Sequence, residues 1–221
     1  MKFHLSLDTF VISDSHFGHS DVLLKEPVRN ILAMKNGFDN FDCYSVNVWN
    51  ANINTGDFVL HLGDLYFNAG YKYLHKLNGN KKLLVGNNDL KKYKLLKDYE
   101  DWSLCKKIKL KIDNKKAILQ KLELKWGKAF KKDKLLNAIV LDMGIHRVMF
   151  SHFPVMSRKK NDRYCDTRDM LDSVYRMCDC SLNIHGHTHS RDTSNKFCVN
   201  VSGERIGFIP VKIRDILALH S

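Results

Sequence analysis

The chain has 221 residues, 44% of them apolar and 10% aromatic, enough to bury a core without disulfide staples. Only three prolines and twelve glycines are present, which excludes a linker-rich or low-complexity protein. No run approaches the roughly 20 apolar residues that span a bilayer, and the formal net charge is +12.

The first eight residues lack the long apolar middle of a secretory signal, so a cytoplasmic location is expected, with the six scattered cysteines as reduced thiols. Cys178 and Cys180 are close together, but no second close pair completes a four-cysteine zinc site. Along the chain, short apolar runs recur and each ends in a polar cluster. Residues 10–12 lead into Ser13-Asp14-Ser15-His16, 58–62 into Gly63-Asp64, and 83–85 into Gly86-Asn87-Asn88-Asp89. Further on, 148–150 lead into Ser151-His152, and 182–184 into His185-Gly186-His187-Thr188-His189. Runs this short, bounded by turn residues, predict buried strands. Helices are expected between them, at 41–54 and 170–178. Strands alternating with helices predict an α/β fold with covered sheets. Ligands in such folds collect beyond the carboxyl ends of strands, so the five polar clusters are expected on one rim. Residues 108–112 alternate with period two, as in an amphipathic strand. The segment 117–137 fits either a basic helix carrying Trp126 or a strand pair broken at Gly127. Residues 198–201, 208–211 and 213–219 read as strand, turn and closing helix.

The charge is concentrated. Residues 91–134 hold sixteen lysines against six acids, ten of the twelve surplus positive charges. Such a stretch can recruit nucleic acid or another polyanion by counterion release; the alternative is a solvated face. Only nine of the 36 basic residues are arginines, and lysine reads phosphate geometry less well.

Asp14, His16, Asp64, Asn87, His152, His187 and His189 would place two carboxylates, an amide oxygen and four imidazoles on the expected rim. Burying such groups unpaired costs roughly 2–7 kcal/mol each. Divalent cations remove that cost, since carboxylate and imidazole ligate zinc, iron and manganese. An extended backbone through Asp14-x-His16 and through His187-x-His189 would turn both side chains of each pair to one face.

In order, these clusters resemble the pattern of the calcineurin-like metallophosphoesterases: D-x-H, G-D, G-N-H-D/E, a single H, and G-H-x-H. Here they stand as Asp14-Ser15-His16, Gly63-Asp64, Gly86-Asn87-Asn88-Asp89, His152 and Gly186-His187-Thr188-His189. The opening Ser13-Asp14-Ser15-His16-Phe17-Gly18-His19, with Trp49-Asn50 and His61-Leu62-Gly63-Asp64, is similar to the small bacterial and phage branch. The resemblance runs from about residue 10 to 210 but finds no counterpart for the basic segment. One domain over 1–221 is therefore expected, with 91–134 as a candidate insertion. The resemblance implies an α/β fold, a four-layer αββα sandwich of two mixed β-sheets flanked by helices. It also implies two divalent metals, manganese foremost, with iron, zinc or nickel as alternatives. Asp14, His16 and His189 would hold the first metal, Asn87, His152 and His187 the second, and Asp64 both. The implied reaction is phosphate-ester hydrolysis by a metal-bridging hydroxide.

One position departs from the pattern. Relatives carry a histidine where this chain has Asn88, and an amide cannot deliver a proton near neutral pH. Phosphodiesters are therefore the expected substrates; a phosphomonoesterase with the same site and a catalytically silent scaffold are the alternatives. Asp89 is expected to hold Asn88, and His19, three residues past His16, is a candidate to touch a phosphate oxygen, a structural role being the alternative. His61 and His185 are expected in the core. Arg158, Lys159, Lys160 and Arg163 are candidates to steer the substrate's anionic part, a solvated loop being the alternative.

Overall fold

The computed structural model describes residues 3–158 and 161–220. Among these, ten strands form two mixed sheets of five. In the first, β1 (Phe10–Ile12), β2 (Phe58–His61), β3 (Asn80–Leu84) and β4 (Trp102–Cys105) run parallel and in that order. In the second, β5 (Ile108–Lys111), β6 (Ala138–Met143), β7 (His146–Ser151), β8 (Leu182–His185) and β9 (Cys198–Asn200) lie side by side, with only β6 and β7 antiparallel. β10 (Val211–Lys212) returns to the first sheet, antiparallel to β1 at its edge.

Successive side chains of a strand point to opposite faces, and here both faces are buried. Val11, Leu60 and Leu84 of the first sheet meet Ile139, Leu141, Val148, Phe150, Leu182 and Ile184 of the second, forming the central core. The alternate residues Ile12, Val59 and Leu83 pack outward against Trp49 of α3 (Phe41–Asn52). Leu110, Val140 and Met149 pack outward against α4 (Lys115–Trp126) and α6 (Cys165–Met177) through Leu122, Leu171 and Val174. This is the expected four-layer αββα sandwich. Burial on both faces also explains why the strands read as unbroken apolar runs.

Helix α3 starts where the Asn40 side chain accepts the Cys43 N–H at 2.9 Å, an N-cap worth about 1 kcal/mol. It buries Phe41, Tyr44, Ser45 and Trp49 on one stripe and stops as Ile53 turns extended. The segment 117–137 is helical rather than a strand pair. α4 ends at Gly127, whose φ of +57° is left-handed, and α5 (Lys128–Lys132) follows at once. Strands β4, β6 and β10 lie outside the runs read as strands. β3 also begins earlier than its apolar run, at the polar Asn80-Lys81-Lys82. Lys81 is nonetheless buried, because its ammonium donates to the carbonyls of Leu77 and Gly79 and pairs with Asp101. Residues 91–134 supply β4 to the edge of one sheet and β5 to the edge of the other. No helix among the described residues is long and apolar enough to cross a membrane.

Candidate metal centre

Each motif sits where a parallel strand ends. Asp14 and His16 follow β1, Asp64 follows β2, Asn87 follows β3, His152 follows β7, and His187 and His189 follow β8. Backbone bonds knit these loops together: Asp14 N–H donates to the Gly63 carbonyl at 3.0 Å, His16 N–H to that of Asp64 at 3.0 Å, and Gly186 N–H to that of His152 at 3.1 Å. The expectation of extended backbone at the Asp-x-His and His-x-His pairs is corrected. Asp14, His16, Asp64, His187 and His189 have φ of 58°, 52°, 55°, 70° and 52°. Such left-handed non-glycine residues cost about 1–3 kcal/mol each and persist only where the surroundings over-determine them. The side chains therefore converge because the loops curl over the strand ends, not because a pleat aligns them. Contact is too close for side chains at the motif glycines. At Gly63 (φ +107°) a Cβ would lie 2.6 Å from His152 Nδ1, and at Gly186 it would overlap Ser13 and Asp14.

The structure brings all seven candidate ligands together. Asp14, His16, Asp64 and His152 are buried, and Asn87, His187 and His189 are half-buried. His16 Nε2 lies 3.7 Å from Asp14 Oδ1 and 3.6 Å from Asp64 Oδ2. His189 Nε2 is 3.8 Å from Asp14 Oδ1. His152 Nε2 is 3.6 Å from Asp64 Oδ1 and 3.0 Å from Asn87 Oδ1, and its ring centroid is 5.1 Å from that of His187. Asp64 thus faces both halves with different oxygens. The ligand atoms of Asp14, His16 and His189 lie within 4.8 Å of one another, as do those of Asp14, Asp64 and His152. Most of these separations are too long for hydrogen bonds, and Asp14 Oδ1 and His16 Nε2 are buried without a partner. Sealed orphan atoms of this kind are rare in folded proteins. The set of imidazole nitrogens and carboxylate and amide oxygens fits divalent manganese, iron or zinc.

Two imidazoles are fixed in the tautomer that a metal needs. His152 Nδ1 faces the Leu62 carbonyl at 2.8 Å, and His189 Nδ1 faces Glu204 Oε1 at 3.1 Å. Both partners accept, so each Nδ1 carries a proton, and Nε2 is the nitrogen each ring turns toward the other candidate ligands. Burial, then the neighbouring His152, pushes His187 down to about 2. Burial opposes ionisation of Asp14, but His16, His152 and His189 outweigh it and hold the carboxyl well below its usual range.

The remaining candidates divide. Asn88 donates from its backbone to Asp64 Oδ1 at 2.8 Å and from its amide to Asp64 Oδ2 at 2.6 Å, so it grips a candidate ligand. Asp89 does not hold Asn88. It is fully buried and accepts the backbone N–H groups of Gly86 (2.7 Å), Asp64 (2.8 Å) and Leu65 (3.0 Å), clamping two motif loops. His19 meets His16, Nδ1 to Nδ1, at 2.9 Å and stacks on Phe67 at 4.4 Å. His61 and His185 are buried. Arg158 turns to Asp169 and Asp172 on α6. Arg163 lies over Tyr164 at 4.7 Å, whose ring is 6.1 Å from His187. Lys159 and Lys160 lie outside the described residues.

Sequence reading missed a buried pair behind the site. Arg29, on α2 (Val28–Lys35), is wholly buried. It donates to Glu204 Oε1 from Nε at 2.8 Å and Nη2 at 2.5 Å, and to the carbonyls of Ser15 (2.8 Å) and Asp14 (2.7 Å). Neither residue belongs to a motif; a lone arginine at a buried helix position was the only available signal. Lys92, over the Phe67 ring at 3.0 Å, was read only as part of the basic stretch.

Fold and site together define an αββα sandwich with a polar, metal-competent rim at its strand ends. A family model of the calcineurin-like phosphoesterases matches residues 8–191, and the chain belongs to that family. A search of curated proteins finds no match. Among solved structures, a protein of unknown function from Aquifex aeolicus has 24% identity and a TM-score of 0.67, with 96% of this chain and 98% of that one covered. An archaeal phosphodiesterase has 16% identity and a TM-score of 0.37, with 88% and 81% covered.

Proposed function

We propose that the chain is a dinuclear metal-dependent phosphodiesterase. The observation that carries this reading is the pair of sealed, unpartnered ligand atoms, Asp14 Oδ1 and His16 Nε2, aimed at the gap that His189 and Asp64 also face. In this reading Asp14, His16 and His189 hold one metal, and Asn87, His152 and His187 the other. Asp64, with one oxygen toward each half, touches both. Divalent cations held there supply Lewis-acid charge for phosphoryl oxygens and a water acidic enough to be a nucleophile at neutral pH. The chain's own part is to hold the ligands. Leu62 and Glu204 set the tautomers of His152 and His189, Asp89 pins the loops after β2 and β3, and Asn88 steadies Asp64. Because Asn88 brings no titrating proton, the site favours phosphodiesters, or esters with leaving groups that need no protonation. Manganese is the proposed metal.

The reading takes the chain as one catalytic domain with residues 91–134 built into it. Exposed lysines such as Lys106, Lys107, Lys131, Lys132 and Lys134, around a cavity of about 440 Å³ with Ile108, Leu119 and Phe130 in its lining, are the proposed contact for a polyanion. The six cysteines are unpaired, as a reducing, cytoplasmic setting would keep them.

The test is hydrolysis of an aryl phosphodiester and an aryl phosphomonoester by chelator-stripped protein resupplied with manganese, iron, zinc or nickel. Restored activity, higher on the diester and best with manganese, supports the proposal. Faster monoester turnover under every metal would make the chain a phosphomonoesterase, and no turnover on either substrate would leave only a binding role.

A further inference from the structure

The two halves of the site are oriented by unlike partners. His152 Nδ1 donates to a neutral backbone carbonyl, that of Leu62, whereas His189 Nδ1 donates to the carboxylate of Glu204. Glu204 is in turn gripped by Arg29, with both side chains sealed from solvent. The same guanidinium donates to the carbonyls of Asp14 and Ser15, and the rings of Phe41 and Phe208 wall it in at 5.0 Å and 5.1 Å. A single buried cation therefore ties the loop of Asp14 and His16 to the carboxylate behind His189.

We propose that the Arg29–Glu204 pair is a positioning device that makes the metal position at Asp14, His16 and His189 the tighter of the two. The inference rests on the two-metal reading above. A carboxylate that accepts the distal proton of a ligating imidazole fixes its ring and makes the coordinating nitrogen more basic. Losing such a partner typically costs 10–100-fold in metal affinity. A carbonyl fixes the tautomer too, but offers a dipole where the carboxylate offers a charge. Arg29 keeps that charge tolerable in the interior, since an ionised carboxylate buried alone would be strongly unfavourable. It also holds the left-handed turn at Asp14 by its own carbonyl, so ligand direction and ligand basicity are set by one group. Among the described residues no such pair bonds to Asn87, His152 or His187; the other buried pair, Arg168 with Asp162, sits over the Phe153 ring and reaches none of them by a hydrogen bond. The other oxygen of Glu204 has no partner, so Glu204→Gln can place its amide nitrogen there, keep the acceptor toward His189 and Arg29, and remove only the charge.

Manganese titration of chelator-stripped protein, followed by calorimetry and by counting bound metal, tests this directly. Wild type should take two equivalents in two separable phases. Glu204→Ala should weaken the tighter phase about 10–100-fold, Glu204→Gln should weaken it less, and the weaker phase should stay in place in both. The unfolding temperature of each metal-free variant shows whether its fold is intact; if Glu204→Ala does not fold, Glu204→Gln decides alone. A purely structural role would lower both phases together and overturn the proposal, as would two equal sites in wild type, an unchanged tighter phase, or a shift of the weaker phase alone. Wild type that takes fewer than two equivalents would overturn the two-metal reading along with this one, whereas two equivalents unaffected by either variant would overturn this one alone.

Discussion

At the strand-end rim, Asp14, Asp89 and Arg29 have no solvent exposure and nearly every lone pair or proton has a named partner. Between residues 106 and 134 the opposite holds: every lysine is exposed, and a contact such as Lys131 with Glu123, at 2.9 Å, joins two exposed side chains. Exposed pairs of that kind contribute about 0–1 kcal/mol, whereas a buried charge without its partner costs several. The contrast teaches where charge constrains a fold. Desolvated groups must be held in one geometry, so Asp14 Oδ1 and His16 Nε2, both buried without a partner and 3.7 Å apart, mark a site; solvated lysines leave many geometries open, and their number alone assigns no ligand.

The sharpest break of this contrast is at Asp64, the carboxylate that faces both halves of the rim. Asp64→Asn keeps the shape and one of the two oxygens that accept from Asn88, and removes the charge. Bound metal should fall below two equivalents and diester turnover to background, while His152→Ala should weaken chiefly the half made with Asn87 and His187. Two full equivalents with normal turnover in Asp64→Asn would end the bridging assignment.

Next in size is the effect of acid on the metal-free fold. His61 is buried between the Ser15 hydroxyl (2.9 Å) and the Gly63 N–H (3.2 Å), and burial pushes it down to about 3. His185, likewise buried, is lowered to about 4. An unfolded histidine titrates near 6.5, so below that value the unfolded chain binds more protons. Stability from these neutral imidazoles is complete above about pH 6.5 and is lost as pH falls toward 4, at up to about 1.4 kcal/mol per pH unit for each. Denaturant unfolding in chelator should show this slope, and His61→Asn, which can still accept from Gly63, should flatten it by one group. An equal slope in the variant would place the acid sensitivity elsewhere.

A smaller effect is expected at Asn88. Asn88→His would place a proton donor beside Asp64, and general acid catalysis typically supplies about 10²–10⁴-fold. Asp89 cannot orient the new ring, because its oxygens already accept three backbone N–H groups. The gain should therefore fall short of that range, about tenfold for alkyl monoesters relative to aryl esters. Equal effects on both substrates would mean that Asn88 acts only by steadying Asp64.

These residues also show what was legible in the sequence. The five strand ends were, because strands buried on both faces read as apolar runs with a polar stop. β6 is such a run too, but it follows a basic segment whose helix-or-strand ambiguity hid its start, and β3 opens on two lysines, of which Lys81 is held by the carbonyls of Leu77 and Gly79 and by Asp101, and Lys82 by Ser103. The candidate ligands were legible as residue types in order. The left-handed backbone that aims them was not, since nothing local distinguishes Asp14-Ser15-His16 from an extended tripeptide until Gly63 and Asp64 bind it. Asp89 reads as a partner of its neighbour and is instead a clamp across the chain. Arg29 and Glu204 are 175 residues apart in sequence, and their pairing exists only in the folded molecule.

The smallest effects belong to the lysine face, where they discriminate best. Replacing Lys121, Lys128, Lys132 and Lys134 with glutamine leaves the Lys131–Glu123 contact in place and touches no rim residue. Each change should alter stability by no more than about 0.5 kcal/mol, and turnover of a small aryl diester should stay within about twofold of wild type, because no ligand comes from this segment. If the face binds a single-stranded polyanion, affinity for an oligonucleotide should fall, and the slope of log affinity against log salt should lose about 0.7 for each lysine that had neutralised a phosphate. The salt slope is the decisive quantity, because a slightly rearranged helix would change affinity without changing how many counterions are released. Unchanged affinity and slope would reduce these four lysines to a solvated face. A flattened slope with unchanged aryl turnover would show that recruitment and chemistry are carried by two regions that can be varied independently.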